Sequence, residues 1–253
     1  MKYCIVNASK IAHSITFIIV LSLSATGVSA ASYDKKVTMS GVIEITKISG
    51  FQGSGTTLKE SKSGYAMYGI SSWERNDQPC FLKLWTEHVN DANHKDSEIT
   101  DRCGGSSNSK ELRAQYSDAG LNEQRIFVSG IRVCLNENGT RVKGIQLRGK
   151  KISDNGKIVP LPVDDDISKN LAPLGYRVSP SVVTNDDSNE PYSYRLNCQS
   201  NNWKRWAECS HPVGIATGVV AHFEAGKKPR ALTGIALHCQ QVKSVSGRAG
   251  TLH

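Results

Sequence analysis

Residues Val128–Gly149 read VSGIRVCLNENGTRVKGIQLRG, and residues Ala216–Cys239 read ATGVVAHFEAGKKPRALTGIALHC. Each stretch opens on a small residue and a glycine, runs through a short apolar arm, crosses a polar turn, and closes on Val or Leu, one residue, then Gly-Ile-x-Leu. Self-similarity of this kind marks one structural unit used more than once. The unit is a β-hairpin. Its arms alternate apolar and other residues, and its turn holds Asn138-Gly139, a pair that tolerates positive φ, or in the second copy begins at Ala225-Gly226. A fainter third copy is expected near TMSGVIEI (38–45) and YAMYGISSW (65–73). Three such hairpins predict an all-β chain whose antiparallel sheets form a three-faced arrangement.

If the repeat is real, Ile131 and Val219 are equivalent, as are Ile145 and Ile235. The register is then set by burial, because a one-residue slip would turn every buried side chain outward. Ile145, Leu147, Ile235 and Leu237 are expected in the core, with Gln146, Ala236 and His238 on the opposite face. Gly130, Gly144, Gly218 and Gly234 fall in or beside these arms, where glycine is expected at bulges or close sheet contacts. Other short β-like runs, VTMSGVIEIT (37–46) and RIFVSGIRVCL (125–135) among them, recur along the chain. One stretch, SSNSKELRAQYSDAG (106–120), has a serine start and a glycine end and is expected as a short helix. Prolines, the triplet Asp164-Asp165-Asp166 and NDDSNE (185–190) predict a long loop excursion at about 153–190.

Residues 1–30 read as a signal peptide: Lys2 and Lys10 lead into the apolar run ITFIIVLSL (15–23), and Val28-Ser29-Ala30 sets cleavage after Ala30. That run is too short to span a bilayer as a helix, so no transmembrane segment is expected. The product, residues 31–253, is expected to be a single all-β domain, secreted or periplasmic. The leader takes Cys4 with it and leaves Cys80, Cys103, Cys134, Cys198, Cys209 and Cys239. An even number in an exported chain points to disulfides, with the pairing open on spacing alone. Without a C-x-x-C or histidines at ligand spacing, no metal site is expected. Losing Lys2 and Lys10 lowers the formal charge from +8 to +6. That is a basic surface, but no dense Lys/Arg run interleaved with aromatics signals nucleic-acid binding.

No Gly-x-Ser-x-Gly, His-Glu-x-x-His, P-loop or Cys/His nucleophile pattern is present, so no catalytic residue and no cofactor are assigned. Glu87, Glu98, Glu208 and Glu224 are the carboxylates a glycan-cleaving site would draw on. His222 and Glu224, two apart, are the one acid–base pairing that a strand would put on a shared face. Two aromatic groups are candidates for ligand binding. The first is Trp203 and Trp206 in NWKRWAEC (202–209). In a regular strand residues three apart face opposite sides, so the two indoles are not expected to share a face. Three placements stay open: both in the core, one buried with one at a ligand face, or both at a ligand face. The second group is Tyr65, Tyr68 and Trp73 in GYAMYGISSW (64–73), whose glycines and serines are typical of binding loops and whose aromatics suit a core equally well.

The segment from Asn202 to Cys239 resembles one repeat of the vitelline membrane outer layer protein family. The residues that carry the likeness are Trp203, Trp206, Cys209, Gly214, Gly218, Glu224, Ala231, Leu232, Gly234, Ile235, Leu237 and Cys239, over about forty residues, with a partial match over Arg125 to Gly149. The resemblance implies a secreted, disulfide-braced β-prism, three antiparallel sheets about a pseudo-threefold axis, with carbohydrate as the ligand class. Where that family has an acidic pair before its Ala-Leu, this chain has Lys227, Lys228, Pro229 and Arg230. On the repeat, which brings the ends of one unit together, Cys209 is expected to bond Cys239. Similar reach pairs Cys80 with Cys103 and leaves Cys134 for Cys198. The expected function is a non-enzymatic binding protein for glycans or another cell-surface polymer. The alternative is a secreted structural or envelope-associated protein without a small-ligand site, and a third reading is an enzyme acting on glycans. Nothing in the sequence sets the oligomeric state.

Overall fold

The computed structural model describes residues 36–75, 78–104, 112–116, 125–161, 193–195, 202–226 and 228–245. The expected signal peptide, Cys198 and most of the expected excursion lie outside the described residues. The described strands run, in chain order, Val37–Ile45 (β1), Ser49–Gly50 (β2), Gly55–Glu60 (β3), Tyr65–Arg75 (β4), Gln78–His88 (β5), Asp91–Asp101 (β6), Leu112–Gln115 (β7), Ile126–Leu135 (β8), Val142–Ile152 (β9), Ile158–Pro160 (β10), Ser193–Arg195 (β11), Ala207–Glu208 (β12), Gly214–Phe223 (β13) and Leu232–Ser244 (β14).

Every pairing is antiparallel, and the strands fall into three sheets. The first is ordered β1-β14-β13-β3 with β2 also on β14, the second β6-β5-β4-β7, and the third β10-β9-β8-β12 with β11 also on β9. The first sheet joins the amino-terminal strands to the last hairpin.

The three hairpins share one register. In β8–β9 a bulge falls between Val128 and Gly130, then Ile131 pairs with Leu147 and Val133 with Ile145. In β13–β14 the bulge falls between Ala216 and Gly218, then Val219 pairs with Leu237 and Ala221 with Ile235. In β4–β5 it falls between Met67 and Gly69, then Ile70 pairs with Leu84 and Ser72 with Leu82. The repeat is therefore a repeat of structure, and its third copy is Tyr65–His88. The TMSGVIEI stretch belongs instead to β1, an edge strand on β14.

Beside each bulge glycine lies a strand from the other side: Gly69 pairs with Gln115, Gly130 with Glu208 and Gly218 with Glu60. The contact explains the residue. A Cβ on Gly218 would sit 2.2 Å from the Lys59 carbonyl oxygen, so only glycine lets the outer strand close on the bulge. The same topology overturns the expected helix at 106–120 in the part described. Leu112–Gln115 is β7, the second sheet's equivalent of β12 and β3. Its backbone groups pair with β4, and that ladder outweighs the weak helical pattern of four residues.

Ile70, Leu84, Ile131, Leu147, Val219 and Leu237 stand at equivalent positions of the three hairpins and are all buried in one cluster, which also takes Ile145 and Ile235. Each such side chain removed from water contributes about 1.5–3 kcal/mol, which is why the three sheets face one another as a β-prism. Gln146 is half-buried on the opposite face, but Ala236 and His238 are as buried as the core, with His238 Nε2 3.3 Å from Glu60 Oε1. Cys80–Cys103 and Cys209–Cys239 are disulfides, as expected. Cys134 is disulfide-bonded too, and its expected partner Cys198 is outside the described residues.

The turn at Asn138-Gly139 differs in detail from its expectation. Gly139 takes φ +69°, whereas Asn138 keeps a negative φ. Asn136 N donates to Arg141 O and Gly139 N to Asn136 O, both at 2.8 Å, so the loop is a four-residue turn closed by a left-handed glycine.

Candidate functional site

The outer face of the third sheet gathers the tryptophan pair. Ala207 pairs with Ile131 and Glu208 with Gly130 in one register. Four residues earlier Trp203 bridges Cys134, and Lys204 N donates to Val133 O at 2.9 Å. Those partners are one residue out of step with the Ala207 pairing. The extra residue between them is a bulge, and one residue of slip exchanges the two faces of a strand. Trp203 and Trp206, three apart, therefore come to the same side, against the expectation from a regular strand. Asn202 Nδ2 donates to Asn136 O at 3.1 Å and ties the segment to the β8–β9 turn.

Arg132 organises both rings. Its guanidinium carbon lies 5.0 Å from the Trp203 ring centre and 4.8 Å from that of Trp206. Arg132 Nε donates to Gln146 Oε1 at 2.6 Å, which fixes the guanidinium along the cross-strand pair. Arg148, next on the same face of β9, lies 4.0 Å over Trp206 and is paired with Glu208. Contacts of this kind are worth about 0.5–1 kcal/mol each at exposed sites and more when desolvated. Trp203, Trp206, Arg132, Gln146 and Arg148 are all half-buried, so the face is a packed, partly accessible layer of indole and guanidinium with one carboxylate at its edge. It can offer flat apolar surface and N–H donors together. Among the described residues it holds no activated nucleophile and no converging pair of carboxylates.

Tyr65, Tyr68 and Trp73 do not form a second face. Tyr68 is buried in a core cluster with Phe127 and Ile215, the core placement that the sequence left open for it. Tyr65 packs edge-on against His88 at 5.4 Å, and Trp73 packs edge-on against Phe81 at 4.4 Å. Tyr65 and Trp73 stand eight residues apart on β4, about 26 Å at strand rise.

The carboxylates that a glycan-cleaving site would need are dispersed. Glu98 lies 3.9 Å from Lys59, Glu224 Oε1 is 3.1 Å from Arg141 Nε, and Glu87 is buried. His222 does not pair with Glu224; it is buried, and desolvation holds its pKa below the usual histidine value against the opposing effect of a Gly53 backbone hydrogen bond. Among the described residues no group of three or more His, Cys, Asp or Glu side chains is placed to hold a metal ion. Among the same residues no helix is long and apolar enough to cross a membrane.

Arg132 and Arg148 were not singled out from the sequence, and Glu208 was named there only as a carboxylate for a glycan-cleaving site. The available signal was alternation: Gln146 and Arg148 interleave with Ile145 and Leu147, so both had to face away from the core. That they meet tryptophans sixty residues on is a matter of sheet order.

No protein-family profile matches the chain, and no curated protein sequence matches it. Solved structures overlap it at low identity. The Calsepa lectin in complex with a bisected glycan aligns at 11% identity and a TM-score of 0.41, covering 79% of this chain and 98% of its own. Single-chain recombinant jacalin aligns at 9% and 0.40, covering 79% and 97%, and the Calystegia sepium agglutinin at 10% and 0.39, covering 79% and 98%. Overlaps of this size carry no argument for a ligand; the prism is read from this chain's own strand pairing.

Proposed function

We propose that the chain is an exported, non-enzymatic binding protein that recognises glycans or another cell-surface polymer through Trp203 and Trp206. Residues 31–253 form its single domain, and the signal peptide is cleaved after Ala30. Affinity with the vitelline membrane outer layer family is part of the same reading, supported by the Cys209–Cys239 disulfide and the hairpin it closes. One observation carries the functional reading: both indoles flank the Arg132 guanidinium on one half-buried face. An indole edge or face packs on the apolar side of a sugar ring, while Arg132 and Arg148 donate to its hydroxyl or anionic groups.

A glycan array tests it, with the wild-type chain compared with Trp203→Ala, Trp206→Ala and Arg132→Ala, each checked by circular dichroism for an intact fold. Specific glycan signals that fall at least tenfold in folded variants are expected. Unchanged signals in folded variants, or no signal from the wild type, overturn the reading.

A structural, envelope-associated role is the second reading, and the β1 edge favours it. Val42, Ile43 and Ile45 are 68%, 44% and 58% exposed on that strand, and an apolar sheet edge is a surface for assembly. Sedimentation over a hundredfold range of concentration separates the two: self-association abolished by Ile45→Lys supports assembly.

A further inference from the structure

Each hairpin carries, opposite Ala66, Phe127 or Ile215, one residue near the link by which the chain crosses to the next sheet: Glu87, Lys150 and Gln240 respectively. The three positions are equivalent, and their chemistry differs. In the third sheet Lys150 Nζ donates to the carbonyl of His211, on the link from β12 to β13, and to that of Gly214, where β13 begins, both at 3.0 Å. In the second sheet Glu87 is fully buried. In the first sheet the uncharged Gln240 takes the place, and it lines a cavity of about 260 Å³ beside the β3–β4 link.

The cavity lies between two pieces of backbone. On one side is the link from β3 to β4, Ser61 to Gly64. On the other, β1 arches off its partner, with Ser40, Gly41 and Val42 set against the single residue Gln241. Gln241 N donates to Ser40 Oγ at 3.2 Å and holds the arch in place. The volume is just below the ~300–1,000 Å³ typical of drug-sized ligands. The pocket suits one sugar-sized molecule.

Its lining says what kind. Lys62 O is the counterpart of His211 O: each accepts the i+3 amide, from Tyr65 N at 3.0 Å and from Gly214 N at 2.8 Å. Lys150 adds a second donor to the His211 carbonyl. At the first-sheet link Ser61 Oγ donates to Tyr65 O at 2.8 Å, replacing one of the two bonds that Lys150 makes in its own sheet. Glu60 adds a carboxylate on the pocket wall, its side chain 46% exposed, with one oxygen 3.3 Å from His238 Nε2. The Lys62 ammonium is drawn to Asp96 at 2.7 Å and does not neutralise Glu60. Ser63, Tyr65 and Gln240 also line the cavity.

We propose that this pocket is a binding site, separate from the tryptophan face, for a single polyhydroxylated ring bearing a free ammonium group, with Glu60 as counter-ion and Gln240 at the position Lys150 holds in the third sheet. The ligand's ammonium does for the β3–β4 link what the Lys150 ammonium does for the β12–β13 link, and its hydroxyls meet the serine, tyrosine and amide groups.

Glucosamine is the probe and glucose the control, titrated by calorimetry into the intact chain with its disulfides formed. Saturable glucosamine binding is expected, at least tenfold tighter than glucose. Glu60→Gln weakens it at least tenfold, and Gln240→Lys abolishes it by supplying the ammonium from the protein. Glucosamine binding that persists in folded Trp203→Ala and Trp206→Ala belongs to the pocket, whereas its loss in either folded variant assigns it to the tryptophan face and overturns the proposal. Should Gln240→Lys fail to fold, Ser63→Trp on the exposed link obstructs the same pocket and is expected to abolish binding. The proposal is overturned if folded wild-type chain does not bind glucosamine saturably, if glucose binds equally well, or if the folded pocket-filling variant binds undiminished.

Discussion

Lys143 and Glu74 meet in the interior, with Nζ 2.9 Å from Oε1 and side chains only 2% and 9% exposed. The pair joins β9 of the third sheet to β4 of the second. Removing one member takes a close counter-ion from a charge held away from water, at a cost of about 3–5 kcal/mol. Lys143→Met is therefore expected to lower stability by that amount in urea unfolding. Adding Glu74→Leu is expected to recover most of it, since two apolar side chains remove both desolvation penalties.

Glycine at the hairpin bulges is a packing requirement. Gly218→Ala would set a methyl 2.2 Å from the Lys59 carbonyl oxygen, whereas a methyl at Gly41 meets nothing within 4 Å. Overpacking costs of about 1–3 kcal/mol are expected for Gly218→Ala, because a backbone atom cannot rotate away. Gly41→Ala stays within about 0.5 kcal/mol. Thermal midpoints of the two variants check the contrast.

Acid stability is expected to fall in two stages. Burial, the largest cause for both, holds His88 and His222 below the ordinary histidine pKa of 6.5. The unfolded chain therefore takes up these protons first, and stability drops as pH falls from 6.5 toward the folded values. Asp91 is held below 3.8 first by the Asn93 backbone N–H and Asp96 first by the Lys62 side chain. Their contribution is complete above 3.8 and is lost below it. Unfolding free energy measured from pH 7 to pH 3 reads both limbs, and His222→Gln is expected to flatten the upper one.

The Cys209–Cys239 bridge spans 30 residues. Loop-closure entropy puts its contribution at about 3.5 kcal/mol. Cys80–Cys103, spanning 23, is expected to contribute nearly as much. Double Cys→Ser variants of each pair, compared by urea unfolding, check both values.

Arg132→Ala removes the group that both indoles flank. Tryptophan emission is expected to shift to longer wavelength as Trp203 and Trp206 gain water, while Arg132→Lys, which keeps charge but loses the planar stack, gives an intermediate shift.

Much of this architecture is local in origin and could be read from residue order. Ile131, Leu147, Val219 and Leu237 face inward because strand side chains alternate and burial favours only one of the two registers. Gly130 and Gly218 could be read as bulge positions from their place in the repeat, although the strands that require glycine there are distant in sequence, and the ends of one hairpin unit brought Cys209 to Cys239. What escaped a sequence reading depends on which distant strand lies alongside. Leu112–Gln115 became a strand because β4 offered it a ladder, and Tyr68 became core because a neighbouring sheet covers it. Trp203 and Trp206 share a face because the backbone slips by one residue between Lys204 and Ala207, and nothing in the residue types announces such a slip. The cavity beside Gln240 has the same origin. Alternation along a strand determined which residues leave the core; only the pairing of strands and the closure of three sheets decided which of them meet, because those contacts join residues far apart in the chain.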